Sequence, residues 1–146
     1  MNMQRIEIYD RDKTGVLAPD FATMLGLIES YRDDLRWFLL EIEATGQLEG
    51  EETMLELENR IRRSPHGVEL DWQEANAIAK QISQAINLTL VGCRRDEPPP
   101  SMPFEIGDVE LVIEIVDSTF CAVSTRSPDL MFLVRSQFLN TKLVSI

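Results

Sequence analysis

Residues 108–116 constrain this chain more than any other segment. Val109, Leu111, Ile113 and Ile115 fall on every second position, with Asp108, Glu110 and Glu114 among the residues between them. A period of two marks a half-buried strand, because successive side chains leave opposite faces of the backbone. Asp117-Ser118-Thr119 supplies turn residues, and residues 120–125 (Phe-Cys-Ala-Val-Ser-Thr) return as a second strand. The pair predicts an antiparallel hairpin. One apolar face of such a hairpin must be covered, so the rest of the chain has to bring a second layer.

Helical spacing supplies that layer. Phe21, Met24, Leu25 and Ile28 follow Pro19 at intervals of three to four, and Leu35, Phe38, Leu39 and Ile42 repeat the pattern. Trp37 and Leu40 widen the second stripe, which predicts a helix buried on two sides and ended by Thr45-Gly46. Residues 51–63 place glutamates in the first turns and arginines in the last, with Met54, Leu57 and Ile61 as a narrow apolar stripe. Glu56–Arg60 and Glu58–Arg62 stand at i, i+4, the spacing for helical ion pairs. Asp71 and Glu74 form a capping-box pattern ahead of Ala75, Ile78, Ala79, Ile82 and Ile86. Ser127-Pro128-Asp129 reads as a helix start, with Leu130, Val134 and Phe138 on one side.

Short strands are expected at residues 4–9, 88–93 and 142–146, and a stiff proline-rich loop at 95–103. The order predicts an α+β fold: one domain over residues 1–146, a mainly antiparallel sheet of about four to five strands, and helices on one face.

Charge narrows the function. The chain holds 25 acidic and 14 basic residues, a net charge of -11. Nucleic acid and anionic membrane surfaces call for basic patches, so neither is an expected partner, whereas a basic protein matches. No apolar run approaches the ~18 residues of a membrane helix. Arg5 and Glu7 interrupt the opening residues where a signal peptide needs an apolar core, so the expected location is the cytoplasm. Cys93 and Cys121 sit in apolar strand contexts and read as buried, reduced thiols. Seven glutamates and no base lie between Glu41 and Glu58, a run that reads as a solvated face or an interaction surface.

Catalytic templates find little to match. His66 is the one histidine and sits in a Pro-Gly turn; no G-x-S-x-G and no phosphate-binding glycine loop is present. His66, Cys93 and Cys121 fall short of the four ligands of a structural zinc site. Glu110 and Glu114 share one strand face but stand about 13 Å apart, too far for a glycosidase pair. Residues 10–21 resemble an EF-hand calcium loop in Asp10, Asp12, Thr14, Gly15 and Leu17. They depart from it where the bidentate glutamate should be, at Phe21, and at Ala18, so a polar turn is the expectation. No cofactor and no metal is implied.

The stretch from Leu70-Asp71-Trp72 through Glu114-Ile-Val-Asp117-Ser-Thr-Phe120, followed by residues 127–138, resembles small acidic bacterial proteins of immunity-protein type. The resemblance implies a non-enzymatic inhibitor of a toxin-like partner and carries no catalytic residue. Three readings follow. The leading one is a cytoplasmic, immunity-like protein-binding module whose Glu49, Glu51, Glu52 and Glu56 steer a basic partner. The alternative is a small enzyme or ligand-binding domain with Glu114, Asp117, Ser118 and Arg126 around a pocket beside the hairpin. The third is a structural subunit of a homodimer.

Overall fold

The computed structural model describes every residue except Met1, Glu49, Glu51 and Met102. Its strands are β1 (Gln4–Ile8), β2 (Leu35–Gly46), β3 (Val68–Leu70), β4 (Ile82–Arg94), β5 (Leu111–Val116), β6 (Phe120–Thr125) and β7 (Thr141–Val144). They form one seven-stranded sheet in the order β3-β2-β4-β5-β6-β1-β7, antiparallel at every pairing. Four helices, α1 (Phe21–Leu27), α2 (Met54–Arg63), α3 (Trp72–Gln81) and α4 (Pro128–Gln137), complete an α+β domain. No helix among the described residues is long and apolar enough to cross a membrane.

The hairpin forms with Leu111, Ile113 and Ile115 on the helix side, but β5 starts only at Leu111, and Val109, expected on that face, is buried with Val112 on the other. Ile113 stands opposite Val123, both fully buried. Thr119 N–H closes the turn onto Val116 C=O at 2.8 Å, and the central residues Asp117 and Ser118 adopt φ of 50° and 54°. Two left-handed residues match the right-handed twist of the flanking strands. The turn is held from outside as well, since Asp117 N–H donates to Asn87 Oδ1 and Ser118 N–H to Ile86 C=O, both at 2.8 Å.

Two helices, α3 and α4, begin where their caps predict, while α2 begins at Met54 rather than 51, behind a cap at Thr53 that sequence reasoning did not single out. Asp71 and Glu74 make a reciprocal capping box, as do Thr53 and Glu56, and Ser127 Oγ accepts from Leu130 N–H. Each satisfies amide groups that a helix start would otherwise leave unpaired. Helix α1 uses Asp20, whose carboxylate accepts from Thr23 N–H at 2.8 Å. Phe21, Met24, Leu57, Ala75 and Val134 from these helices pack with Ile6, Ile8, Leu39, Leu88, Leu90 and Ile113 on one side of the sheet. All four helices therefore lie on one face.

Three further expectations fail. The sheet has seven strands, more than the four to five anticipated. Residues 35–46 are strand β2, not a helix: Trp37 and Leu39 face the helices while Phe38 and Leu40 face the other side. A strand buried on both faces loses its alternation, and its apolar residues then fit a helical stripe by chance. Helix α3 stops at Gln81, so Ile82 and Ile86 belong to β4, which follows without a loop.

The helix-free face carries a second apolar cluster of Phe38, Leu40, Val91, Cys93, Val109 and Val112. Phe104 and Ile106 pack onto it from the strap joining β4 to β5. Burial pushes the Cys93 thiol up to about 11, with the Glu97 carboxylate adding to the effect, and raises that of Cys121. Thiolate is the reactive species. Neither cysteine should label with a thiol reagent at mildly alkaline pH in the native state, and both should label in denaturant. Rapid labelling of the folded protein would contradict this packing.

The calcium-like segment is a braced turn. Asp12 Oδ1 accepts from Thr14 N–H, Thr14 Oγ1–H and Val16 N–H, and these bonds, the hydroxyl's first, hold its carboxyl below the usual range. Asp10 accepts from Leu139 and Asn140 N–H, tying the turn to the entry of β7.

Candidate functional site

Strand β3 pairs with β2 only over Trp37–Leu39, so the rest of β2 has no strand on that side. Helix α2 packs there instead, sending Met54, Leu57 and Ile61 to the core. The β2–β4 register slips between Leu39 and Glu41, where one extra residue enters β2. Beyond the slip Glu41 stands opposite Thr89, and the inserted Leu40 faces the same helix-free side. Bulges of this kind redirect side chains at functional surfaces.

The slip, α2 and the strap line a groove of about 750 Å³ that runs from the helix-free face to α2 at the open edge of β2. Leu40, Ile61, Phe104 and Ile106 supply its apolar lining, and Glu41, Glu43, Glu58 and Glu114 its carboxylates. Arg62 and Arg63 line it as well. Registers run Glu41, Thr89, Glu114, Ala122 and Glu7 in one cross-strand row. Glu41 and Glu114 are two strands apart, about 10 Å at ordinary strand spacing.

Several of these charges are already engaged. Glu58 accepts from Arg62 Nη2 at 2.5 Å, and its side chain is only 15% exposed. Glu114 accepts from Arg5 Nη1 at 2.5 Å, with Arg5 also 3.7 Å from Glu7. Glu43 accepts from Asn87 Nδ2 at 2.8 Å. Tyr9 donates to Glu7 at 2.5 Å, and that bond raises the phenol above its ordinary value. Glu41 is exposed on the groove wall and forms no ion pair among the described residues. The groove thus presents more carboxylate than guanidinium around an apolar floor, a surface suited to binding a cation that carries an apolar body.

The acidic run divides between two sides of α2. Glu52 meets Arg60 through two bonds of 2.9 and 3.0 Å, which takes the place of the expected Glu56–Arg60 pair. Glu56 is occupied by the capping box, accepting from Thr53 N–H. Glu49 and Glu51 lie outside the described residues. Glu58–Arg62 pairs as its spacing predicts.

The four residues around the hairpin do not share one pocket. Glu114 lines the groove, while Asp117 and Ser118 form the turn at one end of the hairpin. Ser118 Oγ donates to Ala85 C=O at 3.1 Å. Arg126 follows the opposite end of β6, where it donates to Gly107 C=O and stands 3.8 Å from Glu110, pinning the strap to the sheet. His66 anchors the same strap's earlier part, with Nδ1 2.9 Å from Pro100 O.

Glu41, Glu43 and Glu58 are the groove residues that sequence reasoning did not single out as a site. Their membership in the acidic run was visible, but their convergence depends on the β2 slip and on a strap more than forty residues away. Compared with models of known protein families, with curated proteins and with solved structures, the chain matches none.

Proposed function

We propose that this chain is a non-enzymatic, cytoplasmic protein-binding module of immunity type, which takes a basic, partly apolar segment of a partner protein into the groove. The observation that carries the reading is the apolar floor of Leu40, Phe104 and Ile106 set among Glu41, Glu43, Glu58 and Glu114. Apolar contact there supplies affinity, and the carboxylates select cationic over anionic segments. A net charge of -11 steers such a partner from a distance, an effect that salt screens. Glu52 and Glu56, on the other side of α2, add to that long-range field while held in their own bonds.

Fluorescence anisotropy with a labelled lysine–leucine peptide and its glutamate–leucine counterpart tests this. The basic peptide should bind, weaken in salt, and lose about tenfold in affinity to the Glu41→Lys/Glu43→Lys protein, about 1.4 kcal/mol. Equal binding of both peptides, or no loss in the variant, would sink the reading. The groove's volume also lies within the roughly 300–1,000 Å³ of small-molecule sites. A small cationic ligand is therefore the second reading, and a compound that raises the melting temperature of the wild type but not of the variant would favour it.

A further inference from the structure

Strand β7 closes the sheet order, and no strand among the described residues pairs with its outer side. The direction of its backbone groups can be worked out. Tyr9 N–H donates to Asn140 C=O at 2.8 Å, and the same register continues as Ile8 to Thr141, Glu7 to Lys142, Ile6 to Leu143 and Arg5 to Val144. Hydrogen-bonded and non-bonded pairs alternate along an antiparallel ladder. Counting from Asn140, Lys142 and Val144 turn their N–H and C=O groups toward β1. Thr141 and Leu143 turn theirs outward, away from the sheet.

The side chains follow the same alternation. Leu143 stands opposite Ile6, on the helix-bearing side, yet it is 53% exposed while Ile6 is 1% exposed. Phe132 of α4 is 75% exposed and lines a shallow cleft with Gln4, the first residue of β1. Ile146, just past β7, is exposed as well. An open edge with apolar neighbours is a pairing template unless charge, proline or a bulge protects it. Lys142 is the one charged residue in β7, and it lies on the helix-free side, opposite Glu7.

We propose that β7 is a homodimer interface, pairing antiparallel with β7 of a second copy about a two-fold axis at Leu143. Several short registers bring the outward backbone groups together, and the one centred on Leu143 pairs the most of them. Another centres on Lys142 and sets two ammonium groups directly opposite each other, which repels. The favoured register centres on Leu143. There Leu143 opposes Leu143 of the second copy and exchanges N–H···O=C bonds with it in both directions. Thr141 does the same with Ser145, and Lys142 falls opposite Val144. The edge is thus complementary to itself in the Leu143-centred register, as an isologous two-fold contact requires. The basic segment proposed for the groove finds no match here, because β7 carries no carboxylate. The result is one continuous sheet across two copies, with both sets of helices on the same side.

Sedimentation of the full chain from about 1 to about 500 µM should show a shift from one chain mass to two. The Leu143→Lys protein, which sets like charges face to face at the axis, should keep the wild-type circular dichroism and remain at one chain mass. Amide hydrogen exchange supplies a readout that does not depend on a variant. Thr141 and Leu143 N–H should slow at least about tenfold between the low and high concentrations, while Lys142 and Val144, already bonded to β1, stay protected throughout. A single chain mass across the whole range overturns the proposal. So does an undiminished dimer in Leu143→Lys, or a dimer in which the Thr141 and Leu143 amides exchange as fast as in the monomer.

Discussion

The Gly46→Ala protein should lose about 3 kcal/mol or more of folding stability, measured as a lower denaturant midpoint at unchanged slope. Gly46 ends β2 with φ of 139°, a backbone conformation that side-chain-bearing residues rarely adopt. A Cβ there would meet Gln81 C=O at 2.2 Å, Ser83 N at 2.9 Å and the Ile82 Cα at 3.0 Å. All three are backbone atoms at the junction where α3 becomes β4, so no side chain can rotate away to make room. Gln47 N–H also donates to the same Gln81 carbonyl at 3.2 Å, and a displaced carbonyl would forfeit that bond. A loss below about 1 kcal/mol would mean that the junction is slack and that the direct passage from helix to strand is wrong.

Truncating Ile113 to alanine is expected to cost about 2–5 kcal/mol, the range for a buried large aliphatic residue. Ile113 is fully buried near the centre of the sheet, opposite Leu90 on one side and Val123 on the other, both fully buried themselves. A cavity between two strands locked by their ladders cannot collapse readily, which favours the upper half of that range. Thermal melts should fall by about 5–15 °C for a chain of this size. Because Ile113 faces the helices, peptide binding in the groove should survive at temperatures where the variant remains folded. A variant that melts normally would place the strand's apolar side away from the core.

Local signals were the legible ones. The hairpin, the α3 capping box and the Ser127-Pro128 start of α4 each depend on residues within a few positions of one another, and each forms as expected. Strand β2 was hidden because Phe38 and Leu40 are buried under the strap, which erased the alternation that Trp37 and Leu39 would otherwise have shown. Strand β3 spans only Val68–Leu70, too short for any period to register. Ile82 and Ile86 continued the helical spacing of Ala75 and Ala79, and nothing between Gln81 and Ile82 signals a change of structure. The candidate site followed the same division. Glu114 was picked out for the turn beside it, yet its actual neighbours are Arg5, Thr89 and the groove, all brought in by pairing over long sequence distances. Acidity could be read in the chain; the surface on which it converges could not.

The place of β1 has a consequence for synthesis. Ile6 lies in the sheet between Val123 on β6 and Leu143 on β7, both more than a hundred residues later in the chain. At about 5–20 residues per second, β1 waits roughly 6–24 s after emerging before either neighbour exists. Throughout that interval Ile6 and Ile8 are uncovered, and the α1–β5 region can assemble only a sheet with its last three places empty. Arg5 and Glu7, alternating with the two isoleucines, put opposite charges on the waiting strand and discourage it from adding to a neighbouring nascent chain. The same two side chains then meet Glu114 and Tyr9 once the strand is seated. Residues that brace the finished sheet are thus the ones that guard its first strand while the ribosome is still at work.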